Sequence, residues 1–403
     1  MRRVDGENQV AVLKRILSEG FRVFFLFAGL YGIFTGLVWA AWLLDIGAGL
    51  DWTGNPRQWH AHEMIFGYAG AALGGFFLTA VPNWTNTPAA RPVFLGVAAG
   101  LWLAGRVGVW LSGGLPAEWV MVVDLAFVPV LALKIAGQLI KRPKPQNMMF
   151  LAILALLWVS NLMVHLEWVG ITADTADIGL RGGVFALVSM IVVLGGRITP
   201  AFTRNAMKRA GLPEAAWPVA SKVAERGSVV LGLLLPVSVL VRLPDIAIGL
   251  IAAVLGLAQL ARLARWRGLW ALGQPILFAL HLALGVLGAG LILWGAALFG
   301  AGQELAALHV IGIGGVGGMT LAVMSRAALG HSGRPLVAPR AVAISYGVLA
   351  FVAFARWAVG LLVPESYTPL MAALSLTWAV VFGLYTLCLW PALTQPRVDA
   401  SSL

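Results

Sequence analysis

Residues 274–299 read QPILFALHLALGVLGAGLILWGAALF and contain no Asp, Glu, Lys or Arg. At about 1.5 Å per residue a helix of that length exceeds the roughly 30 Å hydrocarbon core of a bilayer. Such a helix has no polar face to turn toward water, so it reads as a membrane span. Runs of the same kind recur from Phe21 to Leu393. Of 403 residues, 60% are hydrophobic and only 11% charged, against about a quarter charged in a soluble domain. Spans are read at 21–44, 59–81, 92–112, 119–140, 147–168, 180–201, 227–242, 245–263, 274–299, 305–326, 339–363 and 367–393. Every backbone polar group must be satisfied within the segment in lipid, so these runs are helices. The fold class expected is an all-α polytopic membrane protein of about twelve transmembrane helices. It forms a single membrane domain over 1–403, with 1–20 as a cytoplasmic amphipathic N-terminus.

The net charge of +11 follows the loops rather than marking a nucleic-acid partner. With the N-terminus inside, the inner segments carry Arg91; Lys141, Arg142 and Lys144; Arg204, Lys208, Arg209, Lys222 and Arg226; Arg262, Arg265 and Arg267; Arg326, Arg334 and Arg340; and Arg397. The outer segments carry Arg57, Arg181 and Arg242. Basic residues collect on the cytoplasmic side, so the alternation predicts an even number of spans with both termini cytoplasmic. The basic start runs into a span too long for a signal-peptide core.

Gly74-Gly75, Gly195-Gly196 and Gly317-Gly318 are spaced by 121 and 122 residues. Each pair falls late in an even-numbered span and is soon followed by threonine (Thr79, Thr199, Thr320). This spacing predicts three repeated four-helix units at 21–140, 146–265 and 272–393. Close helix packing would call for the same glycines without any repeat.

Ionisable groups inside spans are costly and mark function. Of six histidines, His60, His62, His165 and His309 fall within about 10 Å of the outer boundary, whereas His281 and His331 fall toward the inner side. Neutral imidazole is the commonest protein ligand for haem iron and copper, so all six are candidate metal ligands and the outer four form the stronger group. No CxxCH motif is present, so a haem would be held non-covalently. In the second span His60, Glu63, Gly67, Gly70 and Gly74 share a face at helical spacing; the glycines would admit a flat macrocycle or a second helix. His62 points about 200° away from His60, which assigns it different partners. In the tenth span His309, Gly312, Val316 and Met319 share a face, and in the fifth Asn161 and His165 are one turn apart. Arg106 and Arg356 are buried cations, each suited to a haem propionate or a carboxylate. Asp124 lies at the depth of Arg106, and an ion pair is the simpler reading there. Arg356 has no acidic partner in view and is the better propionate candidate.

The runs WHAHEMIFGYAGAALGGFFLTAVPNWT (59–85), GGRITPAFTRN (195–205) and HVIGIGGVGGMTLAVMSRAALGHSGRP (309–335) resemble the NnrS family. Its members are bacterial polytopic membrane proteins reported to carry haem and copper and linked to nitric oxide stress and denitrification. His60, His62, Glu63, His309 and His331 stand at the family's motif positions. The resemblance implies a haem b protein of the bacterial inner membrane that binds or reductively detoxifies nitric oxide, with copper or another second metal and with quinol as a candidate electron donor. The assignment that follows makes His60 and His309 haem ligands, and gives His62, His165 and Glu63 to a second metal or to proton handling. Glu63 is then the catalytic candidate. It and Asp124 are the acidic residues clearly within spans, both in the outer half, so protons for turnover are expected to enter from outside. A looser likeness to haem–copper oxidases and nitric oxide reductases is weakened by spans six and seven, which hold no histidine. The rival readings are a secondary transporter, whose repeats would serve alternating access, and a non-catalytic nitric oxide sensor or metal-insertion factor.

Overall fold

Long apolar runs that must satisfy their own backbone fold as continuous helices, and this is the observed architecture. The computed structural model describes residues 10–46, 52 and 55–398; residues 1–9 of the amphipathic N-terminus lie outside them. Twelve helices are long and apolar enough to cross a membrane, and no strand occurs among the described residues. They are α1 (Gly20–Leu43), α2 (Pro56–Thr85), α3 (Pro92–Trp110), α4 (Ala117–Leu139), α5 (Pro145–Trp168), α6 (Ala176–Arg209), α7 (Lys222–Leu240), α8 (Asp245–Ala264), α9 (Pro275–Leu298), α10 (Glu304–His331), α11 (Arg340–Leu362) and α12 (Pro364–Thr394). The protein is an all-α integral membrane protein.

Local sequence sets the helix ends. Proline opens α3, α5 and α9 at the first turn, where its fixed φ suits the helix and its missing N–H is no loss. Pro56 does the same for α2, and the Asn55 side chain accepts the Gln58 backbone N–H at 2.9 Å, a typical N-cap. At the start of α6 the Glu167 carboxylate accepts the backbone N–H groups of Thr175 and Ala176 at 2.6 and 2.7 Å. α6 runs to Arg209, beyond the apolar stretch expected to end at 201, because its last two turns are amphipathic rather than apolar. α7 begins at Lys222 instead of 227 for the same reason: Ser221 caps a charged first turn that hydropathy leaves out.

The most apolar stretches of α2, α6 and α10 are 78%, 83% and 67% buried, against 33–39% in α3, α4, α7, α8 and α11. α2, α6 and α10 touch one another at the centre, and α1 packs along α12 so that the first and last helices meet. Leu133, Phe351 and Leu387 on outer helices are about 70–75% exposed, the outward-facing apolar surface that a lipid solvent favours. At the basic end, Arg22 donates to the carbonyls of Ala392, Leu393 and Gln395 at 3.2, 3.2 and 2.9 Å. The guanidinium satisfies carbonyls that the end of α12 leaves free and ties it to α1.

Two of the central helices are irregular at matching places. The α2 backbone widens to π-helix over Glu63–Tyr68, and that of α10 over Val310–Gly317. π turns are rare and cluster at functional sites. Each begins directly after a histidine, His62 in α2 and His309 in α10.

Candidate functional site

A cavity of about 990 Å³ opens between α1, α2, α6, α10, α11 and α12 at the end opposite the basic loops. That volume is at the upper end of the range for small-molecule sites. Trp39, Met64, Val316 and Trp378 supply apolar wall; His60, His309 and Arg356 are among its polar groups, and Tyr68 lines it nearest the membrane interior. The His60 and His309 rings are within 11° of parallel, with centroids 6.4 Å apart. Trp39 stacks on His60 at 4.2 Å, which fixes the imidazole plane. The His309 Nδ1–H donates to the Leu305 carbonyl at 2.7 Å, so Nε2 carries the lone pair and accepts an Arg356 N–H at 3.1 Å. Arg356 also reaches the Met371 sulfur. The Nδ1 of His60, by contrast, is buried with no hydrogen-bond partner among the described residues, and a buried polar atom without a partner needs an explanation.

Across α2 lies a second, closed site. His62, Glu63, Arg106, Asp124, Asn161 and His165 are all buried, none more than 5% exposed. His62 Nδ1 meets Glu63 Oε1 at 2.7 Å, and its Nε2 meets Asn161 Oδ1 at 2.8 Å. His165 Nε2 donates to Asp124 Oδ2 at 2.8 Å, and Asn161 Nδ2 donates to the same oxygen at 2.8 Å. Arg106 bridges Glu63 and Asp124, and Tyr31 donates to Glu63. Gly67 makes room: a Cβ there would lie 2.6 Å from the Tyr31 ring and 3.0 Å from Arg106 Nη1.

Hydrogen-bond accounting calls for one more positive charge. Asn161 spends its NH₂ on Asp124, so it offers His62 an oxygen; Glu63 offers another at the opposite ring nitrogen. With acceptors on both sides, the neutral imidazole leaves one facing pair without a hydrogen. One guanidinium against two carboxylates also leaves one negative charge. A single added cation resolves both: a proton shared between His62 and Glu63, or a metal ion at the donor atoms of His62, Asp124 and His165, which lie within 4.8 Å of one another.

The structure therefore gathers the four outer histidines in two pairs. His60 and His309 share the cavity; His62 and His165 share the closed network. Glu63 does not stay on the face of His60, because the π turn that begins at Glu63 breaks the 3.6-residue period, and it joins His62. Of the glycines on that face, Gly67 admits Arg106 and Tyr31 and Gly74 meets Phe127 and Phe24, so these two serve packing, whereas a Cβ at Gly70 would meet nothing within 4 Å. Arg106 is engaged by Glu63 and Asp124, as the ion-pair reading expects, and Arg356 lines the cavity. His281 bonds Thr203 at 2.9 Å and His331 lies against Phe21 at the basic end; neither joins the other four. Sequence reasoning missed Tyr31 and Trp39, since nothing in their flanking residues separates them from other aromatics in a span.

A helical bundle with a histidine-lined cavity and a buried His–Asp–His group defines a polytopic membrane protein with two candidate cofactor sites. Residues 15–397 match the family described as NnrS protein, and the chain belongs to the NnrS family. Membership points to a role in the nitric oxide response. No curated protein matches the chain.

Proposed function

We propose that this protein binds haem b in the large cavity through His60 and His309, and that nitric oxide is bound there. The observation that carries the reading is the paired imidazoles. They line one cavity with near-parallel rings 6.4 Å apart, and their nitrogens would hold a haem iron there. The unpartnered His60, the single tautomer imposed on His309 by Leu305, and the apolar walls all suit such a group, and a partner N–H bond of this kind orients a ligating histidine. Arg356 is placed for a propionate once Nε2 of His309 is otherwise engaged. His60 has no alternative partner and His309 has Arg356, so His60 is the stronger anchor. Haem would supply a redox-active iron that takes nitric oxide as ligand. With quinol in the bilayer as electron donor, reduction of two nitric oxide molecules to nitrous oxide and water would draw two electrons and two protons.

The closed network holds the second cation, and its imidazoles suit copper. The basic loops mark the cytoplasmic side of a bacterial inner membrane, with the haem cavity open to the outside. Haem content of the purified protein tests the assignment. His60→Ala should lose most of its haem and His309→Ala part of it, with His281→Ala unchanged; full occupancy in both outer variants would refute it. Elemental analysis separates the two sites, since His165→Ala should lose the second metal and keep the haem.

A further inference from the structure

Below the cavity the structure contains a column of hydroxyl groups that the paired-histidine sites do not use. Tyr68 lines the cavity wall and its hydroxyl meets the Thr320 Oγ1 at 2.5 Å. Thr320 spends its own hydrogen on the Val316 and Gly317 carbonyls at 2.9 and 3.0 Å, so Tyr68 is the donor. Tyr385 on α12 and Tyr346 on α11 are both buried, on helices that pack against each other and against the α10 segment that carries Thr320. Tyr346 is beside Ser325 and within range of Arg326, whose guanidinium covers the Phe202 ring at 4.1 Å.

Packing does not account for this column. Tyr68, Tyr385 and Tyr346 are at most 5% exposed, yet the Tyr385 hydroxyl has no hydrogen-bond partner among the described residues, and the Tyr346 hydroxyl has only Ser325 beside it. Phenylalanine would fill the same space without burying an unpaired polar group. Three of the chain's five tyrosines stand in this one column, and a hydroxyl both donates and accepts, which a proton path requires.

We propose that Tyr346, Tyr385, Thr320 and Tyr68, joined by internal water, carry protons from the basic end of the bundle to the cavity. Buried polar groups of this kind are the sites that ordered water bridges. The proposal rests on the haem reading of the cavity and reverses the expectation of an outer entry through Glu63. That expectation counted acids and histidines, and a hydroxyl path contains neither.

The test uses the full-length protein in vesicles of known orientation, with an excess of a one-electron reductant that releases no protons on oxidation, nitric oxide added, and an impermeant pH dye on each side. Protons should disappear from the compartment facing the basic loops. Tyr385→Phe and Tyr346→Phe should each slow that uptake about tenfold or more, with haem spectrum and thermal stability unchanged. Uptake from the opposite compartment, wild-type rates in both variants, or no uptake at all would overturn the proposal. A protein without haem fails earlier, at its first spectrum, and that result removes the cavity reading and this proposal together.

Discussion

Adjacent side chains on one turn of α2 lead to different chemistry, and two positions show how. His60 faces a cavity and has an unpaired nitrogen, while His62 faces Glu63, Asn161 and Asp124. The divergence was legible in the sequence, because residues two apart on a helix point about 200° from each other. The membership of the network was less so. Asn161 and His165 stood out by spacing, and Asp124 by depth beside Arg106. That all of these meet Glu63 and Tyr31 depends on helix neighbours, which no single sequence displays. The ion pair makes a sharp prediction. Arg106→Leu should cost about 3–5 kcal/mol by leaving two buried carboxylates uncompensated, and Arg106→Leu with Asp124→Leu should cost less than the sum of the single losses. Thermal unfolding of the four proteins measures this; strictly additive losses would mean that the two residues do not interact. Glu63→Gln should keep the haem but weaken the second cation site, since it removes one of the two negative charges that require a cation. Metal content unchanged in that variant would count against the charge argument.

At the scale of helices, hydropathy located all twelve spans because lipid admits few alternatives. It misjudged ends where a helix leaves the bilayer, as with the charged turns of α6 and α7. It could not find the π stretches, since a widened turn is set by what the side chains meet rather than by composition. These stretches let His60 and Glu63 part company, and they place His309 at the cavity edge. The glycines of α2 test this at element scale. Gly67→Ala should cost about 1–3 kcal/mol and disturb the network, because its Cβ would press on Tyr31 and Arg106, whereas Gly70→Ala meets nothing within 4 Å and should be tolerated. Equal stability of the two variants would show that Arg106 does not need the close approach.

For the whole molecule, the three helices that carry the Gly-Gly pairs are the three that meet at the centre. α9, which carries no such pair, is as buried as α10, so close packing calls for these glycines with or without a repeat. Both candidate sites sit at the end away from the basic loops, so orientation decides which compartment they serve. Reporter fusions at the loops around residues 142 and 215 should read as cytoplasmic, and one at 172 as external; the reverse pattern would invert the account. The central claim concerns the cavity. Protein purified from haem-replete cells should show a Soret band that shifts when nitric oxide is added to the reduced form, and His60→Ala should lose most of both band and shift. A wild-type protein that folds, spans the membrane and never takes up haem would contradict the account outright.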